Sequence, residues 1–124
     1  MLKKKVSGLP KTWLFDIDGT LVKHNGYKID GKDTMLPGVK EFWEKISEED
    51  KVILLTSRTY EYKQMTESFL TENGIRFDEI IYNLPYGERI LVNDKKPKGL
   101  ETAIAFNTKR DLFLQTRFEI DESL

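Results

Sequence analysis

The amino-acid sequence predicts a three-layer α/β sandwich built on a mostly parallel, five-stranded sheet. Short, continuous apolar runs recur along the chain, each about as long as a buried strand. Two segments between these runs carry apolar residues at helical spacing, and polar residues follow the ends of several runs. Strands that are apolar throughout are typical of parallel sheets covered on both faces.

The first half of the chain supplies two of the predicted strands and one predicted helix. Residues 12–15 read Thr-Trp-Leu-Phe, and residues 52–55 read Val-Ile-Leu-Leu. Between them, the stretch Leu-Pro-Gly at residues 36–38 begins a helix. Its apolar residues lie at the i, i+3, i+4 and i+7 positions of one helix face: Val39, Phe42, Trp43 and Ile46.

The second half predicts one further helix and three further strands. The helix begins near Tyr60 and ends at the Asn-Gly pair of residues 73–74. Residues 79–82, 89–93 and 102–106 are the predicted strands. The connection between the last two is short for a complete helix, so the parallel pattern is weakest there.

Composition favours one soluble globular domain spanning residues 1–124. The chain has a formal net charge of −1, with 39% hydrophobic and 33% charged residues. Acidic and basic residues are interspersed, which gives no indication of a nucleic-acid or membrane partner. No signal peptide or membrane span is visible, so we expect a cytoplasmic protein.

Several chemistries are excluded by residue counts. The chain has no cysteine, which removes disulfides, thiolate metal sites and cysteine nucleophiles. It has one histidine, His24, and no Gly-x-Ser-x-Gly turn, which argues against a Ser-His-Asp triad. Any catalysis must therefore use carboxylates, hydroxyls and basic groups, with or without a hard metal ion.

Three polar clusters follow the ends of predicted strands. Asp16 and Asp18 follow the first strand, Thr56 follows the second, and Asp94 follows the fourth. Because the carboxyl ends of parallel strands rim the ligand crevice of an open α/β sheet, we expect these residues to meet at one edge. Carboxylates gathered in this way indicate a cation site.

Residues 15–20, Phe-Asp-Ile-Asp-Gly-Thr, resemble the first motif of haloacid dehalogenase (HAD) superfamily phosphatases. Residues 53–58, Ile-Leu-Leu-Thr-Ser-Arg, are similar to the second motif, and residues 91–94, Leu-Val-Asn-Asp, to the fourth. The match extends from about residue 12 to 106. It implies a Rossmann-like, HAD-like fold, and the intervals between the motifs are too short for a cap domain.

The resemblance also implies a role for each motif residue. Asp16 would be the nucleophile that forms a phosphoaspartate, and Asp18 the general acid and base. Asp16, the Asp18 carbonyl and Asp94 would bind Mg²⁺. Thr56 would donate its hydroxyl to the phosphoryl group. The implied substrate-binding residues, including the backbone N–H groups of the first motif, are Ile17, Gly19, Thr20, Ser57 and Arg58.

Simpler interpretations exist for each of these residues taken alone. Asp18 and Gly19 form a common turn pair, Thr56 could cap a helix, and Asp94 could begin a loop. Arg58 is open between a substrate contact and a surface ion pair. His24 is expected on an exposed flap rather than in catalysis. The joint placement of the motif residues favours the phosphatase interpretation.

The third motif of the family usually supplies a lysine, and residues 82–89 contain none. Lys96 is the predicted replacement. The following Pro97 disfavours helical backbone at Lys96, and alternation along an extended segment would place Lys96 on the same side as Asp94. Lys95 is the second candidate and Lys98 the third.

The compact layout is similar to small phosphatases of capsule and surface-polysaccharide biosynthesis, which implies a sugar or sugar-acid phosphate as substrate. Two alternatives are a non-catalytic module that binds Mg²⁺ and phosphate, and a nucleotide or polynucleotide phosphatase.

Apolar residues in the last segment predict a homo-oligomer, such as a tetramer. The opposing interpretation is that this tail packs on its own core. The residues concerned are Leu112, Phe113, Leu114, Phe118 and Ile120.

Overall fold

The computed structural model describes residues 2–124, a mixed α/β chain whose strands all pair in parallel. The residues group into two compact units. The main unit comprises residues 10–85 and 108–113, and the small unit comprises residues 2–9, 86–107 and 114–124. No helix within residues 2–124 is long and apolar enough to cross a membrane.

The secondary structure of residues 2–124 consists of five strands, three α-helices and one short 3₁₀ helix. The strands are β1 (Lys3–Val6), β2 (Thr12–Asp16), β3 (Lys51–Leu55), β4 (Glu79–Ile81) and β5 (Arg117–Ile120). The α-helices are α1 (Gly26–Ile29), α2 (Val39–Glu44) and α3 (Lys63–Glu72). The 3₁₀ helix covers Tyr60–Tyr62 and leads directly into α3.

The main unit contains a three-stranded sheet with the order β2-β3-β4. The register pairs Asp16 with Leu55, and Leu55 with Ile81. The three strands predicted in the first two thirds of the chain are therefore confirmed, as are both predicted helices, which correspond to α2 and to the 3₁₀ helix with α3. Apolar runs predict the strands and apolar spacing predicts the helices, and several of the apolar side chains concerned are buried, such as Phe15, Val52 and Leu70.

The prediction of one five-stranded sheet is wrong. The part of the chain that the structure describes has five strands, but β1 and β5 form a separate two-stranded parallel sheet in the small unit. Residues 89–93 and 102–106 form no strand. Ile90 and Val92 are 86% and 89% exposed, so the apolar side chains of this segment are not buried. Apolar composition does not make a strand where no neighbouring strand pairs with it. The prediction of a single domain stays a prediction.

An aromatic cluster forms one part of the core of the main unit. The rings of Phe15 and Trp43 have centroids 4.6 Å apart, and Phe42 meets Phe113 edge-on at 5.3 Å. Phe113 is buried although it comes from the late segment 108–113. This residue therefore packs inside its own unit, as the opposing interpretation of the apolar tail expected.

The remaining apolar residues of the tail divide between the two interpretations. Leu112 and Ile120 are 44% and 63% exposed. Phe118 packs edge-on against Phe106 within the small unit, with a centroid separation of 5.7 Å. The homo-oligomer stays a prediction, and its argument now depends on Leu112 and Ile120 rather than on Phe113.

Candidate active site

Backbone hydrogen bonds between neighbouring strands continue just beyond the ends of β2, β3 and β4. Ile17 N–H donates to the Leu55 carbonyl at 3.1 Å, and Thr56 N–H donates to the Ile81 carbonyl at 3.0 Å. The residues that follow β2 therefore adjoin those that follow β3. This is the sheet edge at which the sequence predicts the site.

The first motif folds into a tight loop after β2. The Ile17 carbonyl accepts N–H groups from Thr20 and Leu21, at 3.3 and 2.9 Å. Gly19 has φ +80°, a left-handed conformation that glycine adopts at little cost, and its N–H donates to the Val22 carbonyl at 2.7 Å. The loop thus leaves Asp16 at the strand end and directs Asp18 across toward β3.

Several predicted substrate contacts are used internally in this structure. The N–H groups of Ile17 and Gly19, expected to cradle phosphate, already donate to backbone carbonyls. The Thr20 hydroxyl, also expected to contact substrate, donates to Asp16 Oδ2 at 3.0 Å. It therefore orients the predicted nucleophile instead. Ser57 lies partly buried directly after Thr56.

Asp18 is held by two residues from the segment that follows β3. Arg58 Nη2 donates to Asp18 Oδ1 at 2.8 Å, and Arg58 Nε lies 3.2 Å from both carboxylate oxygens. The Thr56 hydroxyl donates to Asp18 Oδ2 at 3.2 Å. Thr56 is fully buried and its hydroxyl contacts Asp18, and the predicted contact between this hydroxyl and a phosphoryl oxygen stays a prediction.

Arg58 does not form a surface ion pair, because its side chain is only 1% exposed. Its guanidinium makes two further hydrogen bonds to the Asp33 carboxylate, at 2.7 and 3.0 Å, and one to the Thr66 hydroxyl at 2.9 Å. The cation also lies over the Tyr27 ring, 3.9 Å from its centroid. These contacts suit Arg58 to positioning Asp18, and its predicted substrate-binding role stays a prediction.

The electrostatics of this buried cluster favour a permanently charged guanidinium. Burial alone would lower the pKa of Arg58, but hydrogen bonds to Asp33 and Asp18 outweigh it and raise the pKa above its ordinary value. Burial, followed by the nearby Asp18 charge, raises the pKa of the Tyr27 phenol. The cluster is one buried cation between two carboxylates, closed on one side by an aromatic ring.

Asp33 is the residue that the sequence did not reveal. It lies in the polar stretch Asp-Gly-Lys-Asp of residues 30–33, which reads as an ordinary loop. Its side chain is 2% exposed and pairs with Arg58 across 25 positions of the chain. No local pattern indicates such a pair. The only available signal was that an arginine following a buried strand needs carboxylate partners.

A second buried tyrosine lies beyond the end of β4. The Tyr82 phenol donates to Glu67 Oε2 on α3 at 2.9 Å, and its ring lies 5.5 Å from the Tyr60 ring. Burial, then the hydrogen bond to Glu67, raises the pKa of Tyr82 above its ordinary value. The backbone also joins this region to the site, because Asn83 N–H donates to the Arg58 carbonyl at 2.9 Å.

The sequence predicts His24 on an exposed flap, but in the structure this residue is partly buried. Its backbone N–H donates to Asp111 Oδ1 at 2.7 Å, which joins it to the late segment of the main unit. This contact crosses 87 positions of the chain. His24, which precedes α1, therefore contacts a residue of segment 108–113, and no pattern in the sequence predicts this contact.

The structure describes Asp94 and Lys96 in the small unit. Asp94 is exposed and not at a strand end, and its carbonyl accepts the Thr102 hydroxyl. Lys96 is exposed and belongs to a turn in which its N–H donates to the Leu100 carbonyl at 3.0 Å. The Lys96 carbonyl also accepts the Gly99 N–H at 2.8 Å, so Lys96 is the first residue of this turn. The roles of Asp94 and Lys96 stay predictions.

The predicted Mg²⁺ ligands are oxygen donors, which suit a hard cation. Asp16 and the Asp18 carbonyl lie next to each other in the main unit, whereas Asp94 belongs to the small unit. Across residues 2–124, no group of three or more His, Asp or Glu side chains could hold a metal ion by itself. The ligand set would thus consist of two carboxylates, a carbonyl and water.

Comparison with known proteins gives a structural neighbour. No protein-family model matches the chain, and no curated protein matches it. A chain in the structure of the Pnkp1/Rnl/Hen1 complex is 28% identical, with a TM-score of 0.52 over 68% of this chain and 32% of that chain. This chain therefore spans about a third of the length of the solved chain. The parallel α/β architecture of the present chain is compatible with a Rossmann-like fold.

Proposed function

We propose that this protein is a cytoplasmic, Mg²⁺-dependent phosphomonoester hydrolase of the HAD type, without a cap domain. The observation that carries the proposal is the pair of carboxylates at the end of β2 and in the loop that follows it. Asp16 stands at the strand end with its Oδ2 bonded to Thr20, and Asp18 is held by Thr56 and Arg58. A simple Asp-Gly turn does not need a buried arginine and a threonine to fix its side chain.

In the proposed reaction, an Asp16 carboxylate oxygen attacks phosphorus, and the bond from phosphorus to the leaving oxygen breaks. Asp18 gives a proton to that oxygen. Water then attacks the phosphoaspartate, Asp18 takes a proton from the water, and inorganic phosphate leaves with Asp16 restored. The contacts of Arg58 and Thr56 keep Asp18 in one position for both proton transfers.

Mg²⁺ would be held by Asp16, the Asp18 carbonyl and Asp94. Bound there, the ion would neutralise charge on the transferring phosphoryl group. This part of the proposal requires Asp94 to join the two main-unit ligands. It is supported by the hardness of the three donors and by the resemblance of residues 91–94 to the fourth family motif.

The substrate proposed is a small sugar or sugar-acid phosphate, as in the capsule and surface-polysaccharide phosphatases that the motif layout resembles. The structural neighbour is a chain of the Pnkp1/Rnl/Hen1 complex, and this likeness favours phosphoester chemistry as the general class. It does not favour nucleotides over sugar phosphates. The non-catalytic alternative is less well supported, because a module that only binds phosphate has no use for an acid/base carboxylate held as Asp18 is.

The decisive experiment is a phosphatase assay of the wild type and the Asp16→Asn variant, with Mg²⁺ and with excess chelator. A generic aryl phosphate is tested first, then a panel of sugar phosphates, nucleotides and phosphopeptides. We expect turnover only with Mg²⁺ and only in the wild type, while circular dichroism shows both proteins folded. Glu41→Gln, which changes an exposed carboxylate on α2, is the matched control and should remain active. An active Asp16→Asn variant would remove the nucleophile assignment.

Lys96 and the oligomer are separate parts of the proposal. Lys96→Ala should lower kcat/KM by about 10² or more if Lys96 replaces the third-motif lysine, and Lys95→Ala should lower it less. A larger loss in Lys95→Ala, or no loss in either, contradicts this assignment.

For the homo-oligomer, light scattering at micromolar concentration should give a mass above 14.5 kDa.

A further inference from the structure

The late segment 108–113 is fixed against the loop of the first motif. Asp111 N–H donates to the Gly19 carbonyl at 2.8 Å, and Asp111 Oδ1 accepts the N–H of His24 at 2.7 Å. Phe113 anchors the same segment in the aromatic core. Asp111 has φ +64°, a left-handed conformation that is uncommon outside glycine. Such a conformation persists only where the surroundings fix it, as these contacts do.

This arrangement brings the side chain of Arg110 against Gly19. A Cβ atom placed on Gly19 would lie 3.3 Å from Arg110 Cγ and 3.7 Å from His24 Nδ1. Gly19 directly follows Asp18 and lies three positions after Asp16. Because Gly19 has no side chain, nothing at that position separates Arg110 from the loop that carries the two carboxylates.

Arg110 differs from Arg58 in being exposed and unpaired. Its residue is exposed, and no carboxylate within residues 2–124 forms an ion pair with it at 4.0 Å or less. Arg58, in contrast, is buried with two carboxylates. From Cγ, the remaining atoms of Arg110 can extend several ångströms, so its guanidinium can reach a ligand at the mouth of the loop. The guanidinium fork matches two phosphate oxygens at once.

We propose that Arg110 binds the phosphate group of the substrate beside Asp16, with Asp111 as the residue that positions it. This inference rests on the proposed function only for the identity of the ligand as a phosphomonoester. It differs from the role predicted for Lys96, because Arg110 belongs to the main unit and directly precedes Asp111, whose N–H and side chain form hydrogen bonds with Gly19 and His24.

The test is direct binding of inorganic phosphate, measured by calorimetry in the presence of Mg²⁺. Arg110→Gln should weaken phosphate binding about tenfold, as expected for loss of a charge-assisted, two-point contact, and Arg110→Lys should restore part of it. Lys109→Gln is the matched control, because it removes one positive charge from the neighbouring exposed position. It should bind phosphate as the wild type does.

Binding and turnover separate the two proposals. Weaker binding in Arg110→Gln alone supports Arg110 even if no phosphomonoester is hydrolysed, in which case the proposed function fails by itself. Equal binding in Arg110→Gln and wild type, equal weakening in Lys109→Gln, or no phosphate binding by the wild type overturns the Arg110 proposal. If the wild type hydrolyses an aryl phosphate, KM should rise in Arg110→Gln more than kcat falls. Asp111→Ala should reproduce part of that rise.

Discussion

Arg58 Nη2 lies 2.7 Å from Asp33 Oδ1, and the two side chains are 1% and 2% exposed. The same nitrogen lies 2.8 Å from Asp18 Oδ1. One guanidinium therefore joins Asp18, the proposed general acid and base, to the buried carboxylate of Asp33. Arg58 and Asp33 together set where the Asp18 carboxylate lies.

Removing the Arg58 cation should lower the free energy of unfolding of the main unit. Arg58→Met leaves the buried Asp33 carboxylate without a partner, and breaking a buried pair in this way typically costs about 3–5 kcal/mol. Urea unfolding measures the change. The control is Lys23→Met, which breaks the half-exposed pair with Asp30 and should cost less than about 1 kcal/mol. Equal losses in the two variants would mean that the Arg58 cluster adds little stability.

Removing the charge of Asp18 should mainly affect turnover. In Asp18→Asn the side chain can no longer donate or accept a proton, so kcat should fall by about 10²–10⁴-fold. Steady-state kinetics on protein shown to be folded provides the measurement. Asp30→Asn, an exposed carboxylate remote from Asp18 in sequence, should keep its kcat. Unchanged kcat in Asp18→Asn would require another acid and base.

Truncating Phe113 should show how much the late segment stabilises the main unit. The ring is buried among Phe15 and Phe42, so Phe113→Ala should lower the free energy of unfolding by about 3–5 kcal/mol. Phe106→Ala is the comparison, because Phe106 is 43% exposed and should lose less. A chemical-denaturation midpoint that moves less in Phe113→Ala than in Phe106→Ala would contradict this packing.

The buried Tyr82 should make stability sensitive to alkaline pH. Its pKa is raised in the folded state, so its contribution is complete below the ordinary tyrosine value of about 10. That contribution is lost as the pH rises through this value toward the higher folded pKa. The difference in unfolding free energy between wild type and Tyr82→Phe should therefore shrink above pH about 10.

Denaturation curves at stepped pH give this difference directly. Tyr86→Phe is the control, because that ring is 92% exposed in the folded protein. Its difference from the wild type should not follow the same course with pH. A constant difference for Tyr82→Phe across the alkaline range would show that the Glu67 hydrogen bond does not stabilise the protonated phenol.

The sequence predicted those features that leave a local periodic signal. Apolar runs mark strands β2, β3 and β4, and apolar residues at helical spacing mark α2 and α3, so the positions of these elements follow from residue order. Residues 89–93 carry a similar apolar run without a pairing partner in the structure. Strands β1 and β5 are the converse, because Lys3–Val6 is mostly charged and gains strand structure through its pairing with Arg117–Ile120.

The same distinction applies to the site. The paired carboxylates Asp16 and Asp18 were visible because a motif places them two residues apart after a strand. The partners of Asp18 were only partly visible, since Asp33 is 25 positions from Arg58 and its loop has no periodicity. The contact of Asp111 with His24 spans 87 positions, and only the folded chain brings such residues together.

The main unit is built from two separate stretches of chain, and this has a consequence for the order of events during translation. Residues 10–85 leave the ribosome well before residues 108–113, which carry Phe113 and the Asp111 contacts. A nascent chain that ends before residue 108 would expose the Phe15 and Phe42 rings that Phe113 later covers. Stalled or prematurely terminated products should therefore attract holding chaperones and aggregate, whereas the released chain can complete its core.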